Sequence, residues 1–247
     1  MRNLIEKIKS NSHFFIALLF LVLIYIINFF FLHSLHSLKW GESIGFINLF
    51  YNVVMTFNTF IFMLVPIISV VANGEGKLIH CNKASKSTIY EFFHTVKGGL
   101  VFLVAQVLIL LFFIICDPSI SQPVNVIGIF TDIYYASPIL YILIYIIHSF
   151  VCGWILSFFG RSIYLLTNSK YYSLIIVFII YRIQNYIPSN WSGVINLLPF
   201  HPFEFSSIGF SLFKNSYDLI LILLVSAFLI LKKYECMQKS VPNDNNV

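Results

Sequence analysis

The sequence contains little charge and few cysteines, and each scarcity argues against a class of protein. Only 10% of its residues are charged, whereas 59% are hydrophobic. A water-soluble domain of this length would therefore expose large apolar patches. The four cysteines form no CxxC pair, so neither a disulfide framework nor a cysteine metal cluster is supported. We expect the solvent around most of the chain to be lipid.

Recognisable catalytic and metal-binding motifs are also missing. The sequence has no HExxH zinc motif and no phosphate-binding GxxxxGK[ST] loop. Glu91 and His94 are three residues apart, but no matching histidine pair accompanies them. His33 and His36 have the same spacing without an adjacent acidic or cysteine ligand. We therefore predict no catalytic residues, no metal site and no cofactor in this chain.

Six apolar stretches are long enough to cross a bilayer as helices, which requires about 20 residues for roughly 30 Å of hydrocarbon. They lack the alternation of apolar and polar residues that is typical of barrel strands. The predicted spans are Phe14–Leu32, Ile44–Ala72, Thr88–Cys116, Ile133–Phe159, Tyr171–Ile187 and Tyr217–Leu231. The pattern predicts an all-α, polytopic membrane protein with six transmembrane helices and a single transmembrane domain over residues 1–247.

The distribution of positive charge predicts the orientation of these spans. Of the 15 lysines and arginines, 12 fall on the side that holds both termini, and only Lys39, Arg182 and Lys214 fall on the other. Cytoplasmic loops are enriched in these residues, so both termini are predicted to be cytoplasmic in a multi-pass protein of the cell membrane. The cations are spread over four short segments, which argues against a nucleic-acid partner.

Three segments outside the spans have a pattern of their own. Residues 2–12 predict an amphipathic helix on the cytoplasmic membrane surface, with a disordered basic leader as the alternative. Residues 73–87 form a polar cytoplasmic loop with a short helix near 77–83. Residues 188–216 are apolar but interrupted by prolines, which favours re-entrant helices on the outer side. The tail, residues 239–247, is polar and predicted to be disordered.

Two further predictions concern polar residues in or beside the spans. Thr88 and Glu91 have the T-x-x-E spacing of a capping box, which predicts that the third span begins at Thr88. Four polar residues lie midway along the predicted spans: Asn52, Asn58, Gln106 and His148. Interhelical hydrogen bonds explain the three amide side chains most simply, and packing explains the histidine.

The spans hold almost none of the ionisable groups that ion-driven transporters place there. We also find no internal repeat. The energy for any transport would then come from a partner protein. The loop from Gly74 to Ser87 supplies a surface on which such a partner could dock.

This layout resembles the membrane subunit of ABC-2 type (type V exporter) ABC transporters over nearly the whole chain. Members of that family have an amphipathic N-terminal helix, six spans, a coupling helix between spans two and three, and re-entrant helices between spans five and six. Local similarity lies in Glu75, Gly76-Lys77-Leu78, Ser85-Lys86, Lys97 and the segment Leu197–Pro202. The chain departs from the family where Lys77 replaces a threonine and where His80-Cys81 interrupts an apolar run.

The resemblance implies an ABC ATP-binding subunit as partner and a pore formed with a second permease copy or a paralogous permease. The residues expected to contact the ATP-binding subunit are Glu75, Lys77, Leu78, Lys83 and Lys86. The alternative role of the lysines is to fix the orientation of the chain in the membrane. Small permeases of this composition resemble those that expel lantibiotics or other bacteriocins, which implies a membrane-active peptide or another hydrophobic compound as substrate. A membrane-embedded enzyme acting on lipid or peptide, and a non-transporting immunity protein, are the alternative functions.

Overall fold

The described part of the chain is entirely helical. The computed structural model describes residues 12–35, 58–71, 84–116, 136–186 and 208–240. The predicted all-α class is confirmed for these residues, which contain no strand. The helices are α1 Ser12–Leu35, α2 Asn58–Val71, α3 Ala84–His94, α4 Val96–Cys116, α5 Pro138–Thr167, α6 Lys170–Tyr186 and α7 Ile208–Ser240. By length and composition, two segments could each cross a membrane: Ala84–Phe112 and Ser149–Thr167.

Helices α5 and α7 are longer than the spans predicted for them. Helix α5 continues beyond Phe159 to Thr167, and α7 begins at Ile208 and ends at Ser240. The apolar pattern marks where hydrocarbon could end, whereas a helix continues through polar residues until its capping geometry ends it. Asn168 provides that end for α5, because it adopts a left-handed conformation and its amide donates to the Tyr164 carbonyl oxygen at 2.8 Å.

Several predicted segments lie outside the described residues. These are the amphipathic helix except for Ser12, residues 44–57 of the second span, loop residues 73–83, outer residues 188–207 and tail residues 241–247. Residues 208–216 were expected in the re-entrant segment, but they form the first turns of the continuous helix α7. Likewise, residues 239 and 240 belong to the end of α7 and not to a disordered tail.

Helix α5 lies at the centre of the fold. It packs against α2, α4, α6 and α7, and α1 packs against α2 and α4. The main core is formed by apolar side chains of α1, α2, α4, α5 and α7, with Leu21, Tyr25, Phe102 and Leu156 completely buried. A smaller core of α3, α5 and α7 contains Ala84, Phe158 and Tyr234, and it surrounds the site described below.

Glycines bring α4 and α5 unusually close together. A Cβ atom at Gly98 would overlap the Ser157 side chain, and one at Gly99 would lie 2.5 Å from the Phe150 carbonyl oxygen. Gly153 faces the same contact from α5, where a Cβ atom would overlap Phe102. Small residues at such positions allow helix backbones to approach closely, which is a common device between membrane helices.

The outer surface of the helices is strongly apolar. In α1, Ala17, Leu21 and Tyr25 are buried, whereas Ile16 and Leu19 on the other side are 59% and 62% exposed. The same holds for other helices, and large exposed side chains include Leu108, Leu111, Ile139, Leu143, Ile147, Leu224 and Phe228. A soluble monomer rarely exposes so much contiguous apolar surface, so this distribution favours a lipid environment.

Candidate functional site

Helix α3 buries several polar side chains and exposes several apolar ones. Ser87, Thr88 and Glu91 are almost completely buried, whereas Ile89 and Phe93 are 56% and 62% exposed. Both sets recur at helical spacing, so they occupy opposite faces of the helix. Such an inverted pattern is unfavourable in water but favourable where the surroundings are apolar and the interior supplies hydrogen-bond partners.

The centre of the polar face is a buried ion pair. Arg161 on α5 donates two hydrogen bonds to the Glu91 carboxylate, from Nε to Oε2 at 3.0 Å and from Nη2 to Oε1 at 3.1 Å. Tyr234 on α7 donates its hydroxyl hydrogen to the same Oε1 at 3.0 Å. We call Glu91, Arg161 and Tyr234 the polar cluster. It joins three helices through one carboxylate, and the bidentate geometry fixes their relative orientation.

The capping box predicted at the start of the third span is wrong. Helix α3 begins at Ala84, and the Thr88 hydroxyl donates to the Ala84 carbonyl oxygen at 3.0 Å within the second turn. Glu91 turns towards Arg161 and Tyr234 instead of the Thr88 amide. Two partners, one of them charged, outcompete a single local bond for a buried carboxylate.

An aromatic cluster lies beside the polar cluster and holds the junction between α3 and α4. The Phe92 carbonyl oxygen accepts hydrogen bonds from Trp154 Nε1 and Thr95 Oγ1, each at 2.8 Å. The Phe92 ring stacks on Trp154 with centroids 4.4 Å apart and meets Phe158 edge to face at 5.2 Å. Thr95 interrupts the helix between α3 and α4. The junction is therefore fastened to α5 by both main-chain and side-chain contacts.

One of the five residues expected to contact an ATP-binding subunit lies in the described part of the chain. Lys86 is exposed in the first turn of α3, five residues before Glu91. At 1.5 Å per residue, these two positions are about 7.5 Å apart along the helix. Glu75, Lys77, Leu78 and Lys83 lie outside the described residues. The polar cluster thus follows the predicted contact segment closely along the chain.

Gln106 does not form the interhelical hydrogen bond expected of it. Its side chain is completely buried in α4, yet neither Oε1 nor Nε2 finds a hydrogen-bond partner within the part of the chain that the structure describes. The side chains of Asn52, Asn58 and His148, for which similar roles were predicted, lie outside the described residues.

The polar cluster is arranged for structural coupling. Both carboxylate oxygens of Glu91 accept hydrogen bonds within it, and the Glu91 and Arg161 side chains are 2% and 3% exposed. A buried carboxylate engaged in this way holds the helices together, because moving one helix away would leave a buried charge without its partner. Among the residues with described side chains, no group of three His, Cys, Asp or Glu is placed to bind a metal ion.

Sequence reasoning missed this cluster because it counted Arg161 as a loop cation. Arg161 lies 70 residues from Glu91, and Tyr234 lies 143 residues from it. One local signal was available: no proline interrupts the sequence between Phe159 and Asn168, which is compatible with a helix that continues beyond Arg161. Which carboxylate would meet this arginine depends on tertiary packing and has no sequence signature.

Comparisons with known proteins identified no matching family, no similar curated protein and no similar solved structure.

Proposed function

We propose that this chain is the membrane-spanning permease subunit of an ATP-driven ABC exporter in the cell membrane. Its six spans would leave both termini in the cytoplasm, and its partners would be an ABC ATP-binding subunit and a second permease copy or a paralogous permease. The substrate would be a membrane-active peptide, as in bacteriocin self-immunity, or another hydrophobic compound.

The inverted helix α3 supports the membrane part of this proposal. Its exposed Ile89 and Phe93 suit contact with lipid, whereas Lys86 near its start suits the cytoplasmic headgroup region. Exposed Tyr171 and Tyr172 follow the turn between α5 and α6, and aromatic residues of this kind are enriched at membrane interfaces. Arg161 lies six residues before the end of α5, about 9 Å along the helix. The ion pair would then lie inside the membrane, where buried charge generally marks function.

The observation that carries the proposal is the connection of α3 to both α5 and α7 through Glu91. Residues 73–83 precede α3 directly. A partner that displaced this segment would move α3, and the polar cluster would pass that displacement to two further helices. Rigid-body motion of packed helices is the common way in which such a local change spreads through a protein. Replacing the pair with apolar residues would loosen this connection without leaving a buried charge.

Copurification tests the proposed partner. The tagged chain is purified from membranes of its native host, and copurifying ATP-binding proteins are identified by mass spectrometry and assayed for ATP hydrolysis. A variant with Glu75→Lys, Lys77→Glu, Lys83→Glu and Lys86→Glu should lose the ATP-binding protein. The matched variant Lys232→Glu, which changes an exposed lysine of α7, should retain it. Absence of an ATP-binding protein from the wild-type preparation would overturn the proposal.

A cellular assay separates export from simple sequestration. Cells that express the chain are challenged with the membrane-active peptide for which protection is observed. If the chain exports the peptide, protection should vanish when the partner's ATP hydrolysis is abolished by mutation. Undiminished protection without ATP hydrolysis would instead identify a non-transporting immunity protein.

A further inference from the structure

Gln106 is a polar side chain at the middle of an apolar helix, and nothing in the described fold pairs with it. It is the eleventh of the 21 residues of α4 and has no exposed surface. Its carboxamide carries two hydrogen-bond donors on Nε2 and an acceptor on Oε1. Neither atom has a hydrogen-bond partner within the part of the chain that the structure describes. Burying such a group without a hydrogen bond costs free energy, so an apolar residue would suit this conformation better.

Other buried polar side chains of the bundle show how the same cost is usually avoided. Ser69 donates to the Pro66 carbonyl oxygen at 2.6 Å, and Ser226 donates to the Ile222 carbonyl oxygen at 2.7 Å. Each hydroxyl is thus satisfied by its own helix. Gln106 forms no such hydrogen bond with its own helix. An apolar methionine of similar size could occupy the same space without an unpaired polar group.

The surroundings of Gln106 place it at the meeting point of several helices. Its neighbours Phe102, Ala105 and Ile109 on the buried face of α4 all belong to the main core. Helices α1, α2 and α5 pack against α4. A relative movement of these helices would therefore expose Gln106 to the space that opens between them, and not to the surrounding lipid.

We propose that Gln106 lines a polar path that opens between α4 and its neighbours in a second conformation, where its carboxamide hydrogen-bonds a peptide group of the transported ligand. A peptide group presents one N–H donor and one carbonyl acceptor, which complement the acceptor and the donors of the carboxamide. The uncharged amide can return to the closed bundle at lower cost than an ionised group. The peptide nature of the ligand rests on the proposed export function, whereas the path itself does not.

Cysteine accessibility tests the path. Gln106→Cys is placed in a background whose native cysteines are replaced by alanine, and membrane vesicles that hold the chain with its native partners are treated with a cationic methanethiosulfonate reagent, which reacts from water. The matched control is Ser226→Cys, because Ser226 is equally buried but lies on α7, away from the contacts of α4 with α1, α2 and α5. We expect Gln106→Cys to be labelled at least tenfold faster than Ser226→Cys. Equal rates would overturn the path.

Protection from labelling tests the recognition of peptide groups. The labelling of Gln106→Cys is repeated with a dansylated alanine-leucine peptide and with the same peptide N-methylated at every second residue, which removes half of its donors. We expect the unmodified peptide to slow labelling several-fold more than the methylated one. Equal slowing, or none, would overturn peptide recognition. Copurification on the same vesicles reports independently on the ATP-binding partner, so failure of the export function is distinguished from failure of this inference.

Replacement of Gln106 gives two independent readouts, one on purified protein and one in cells. In the purified chain with its partners, Gln106→Met should raise the midpoint temperature of unfolding, because the unpaired amide is removed. In cells, the same variant should lower protection against the peptide. If the variant is no more stable, or if cells keep full protection, a role of Gln106 in the path is excluded.

Discussion

The Arg161 guanidinium and the Glu91 carboxylate form a two-point contact across helices α3 and α5, with both hydrogen bonds between 3.0 and 3.1 Å. The Arg161 guanidinium also lies over the Tyr164 ring, 5.2 Å from its centroid. Charge, hydrogen bonding and aromatic packing therefore converge on one side chain. Lysine could not reproduce this arrangement, because it lacks the planar fork that contacts both carboxylate oxygens.

Single substitutions of the pair should destabilise the chain strongly. Glu91→Leu leaves the arginine without its counter-charge, and Arg161→Met leaves the carboxylate without its charged partner. Each should lower the free energy of unfolding by about 3–5 kcal/mol, since an uncompensated charge then stays buried. The measurement is thermal unfolding of the purified protein in detergent.

The double variant Glu91→Leu with Arg161→Met is the informative control. It removes both charges, so it should recover most of the stability that either single variant loses. Losses that add up in the double variant would contradict the ion pair. Tyr234→Phe removes only the hydroxyl that donates to Glu91 and should cost less, about 1.5 kcal/mol.

The contact between α4 and α5 gives a second prediction, based on packing. Gly98→Ala should destabilise the fold by about 1–3 kcal/mol, because the new Cβ atom would overlap Ser157 and lie 3.1 Å from the Gly153 carbonyl oxygen. Gly160→Ala should cost less. The three atoms nearest to its Cβ atom would all belong to the Ile67 side chain, with Cγ2 the closest at 2.6 Å, and this overlap is smaller than the one at Gly98.

Thermal unfolding of these two glycine variants in the same detergent compares them directly. Both substitutions replace a helical glycine with alanine, so the intrinsic gain in helix propensity is the same and cancels in the comparison. If Gly160→Ala proved the more damaging of the two, the close approach of α4 and α5 at Gly98 would be contradicted.

The fold class could be predicted from the sequence because hydrophobic runs are a local property. Helix ends were harder to place, since the apolar run around Phe159 ends before the helix does. The outcome for Glu91 shows the same limit at the site. A local motif assigned it to a helix cap, but two residues distant in sequence supply stronger partners. The distribution of apolar residues along the sequence indicates whether a segment faces lipid or water. Pairing between polar residues that are distant in sequence depends instead on how the helices pack.

The Phe92 carbonyl oxygen offers a third prediction, because two side chains donate to it. Trp154→Phe keeps an aromatic ring against Phe92 but removes Nε1, and Thr95→Val keeps the shape but removes the hydroxyl. Each single variant should cost about 1 kcal/mol, because the other donor still satisfies the oxygen. The double variant should cost more than the sum of the two.

A double-mutant cycle measured by thermal unfolding tests this coupling. The expected excess reflects a carbonyl oxygen that loses both of its side-chain donors in a partly buried site. Strict additivity would show that Trp154 and Thr95 act independently on the junction between α3 and α4.

The inverted face of α3 yields the last prediction, which concerns its surroundings. Phe93 is 62% exposed and Lys86 is exposed seven residues earlier on the same helix. If α3 enters the membrane as proposed, a spin label at Phe93→Cys should collide more often with oxygen, which partitions into lipid, than with a water-soluble nickel complex. A label at Lys86→Cys should show the reverse preference, because a lysine at the start of the helix suits the headgroup region. Electron paramagnetic resonance in vesicles, with the native cysteines replaced by alanine, measures both collision rates. A preference for the nickel complex at both sites would place α3 in water, where exposing Ile89 and Phe93 would be unfavourable.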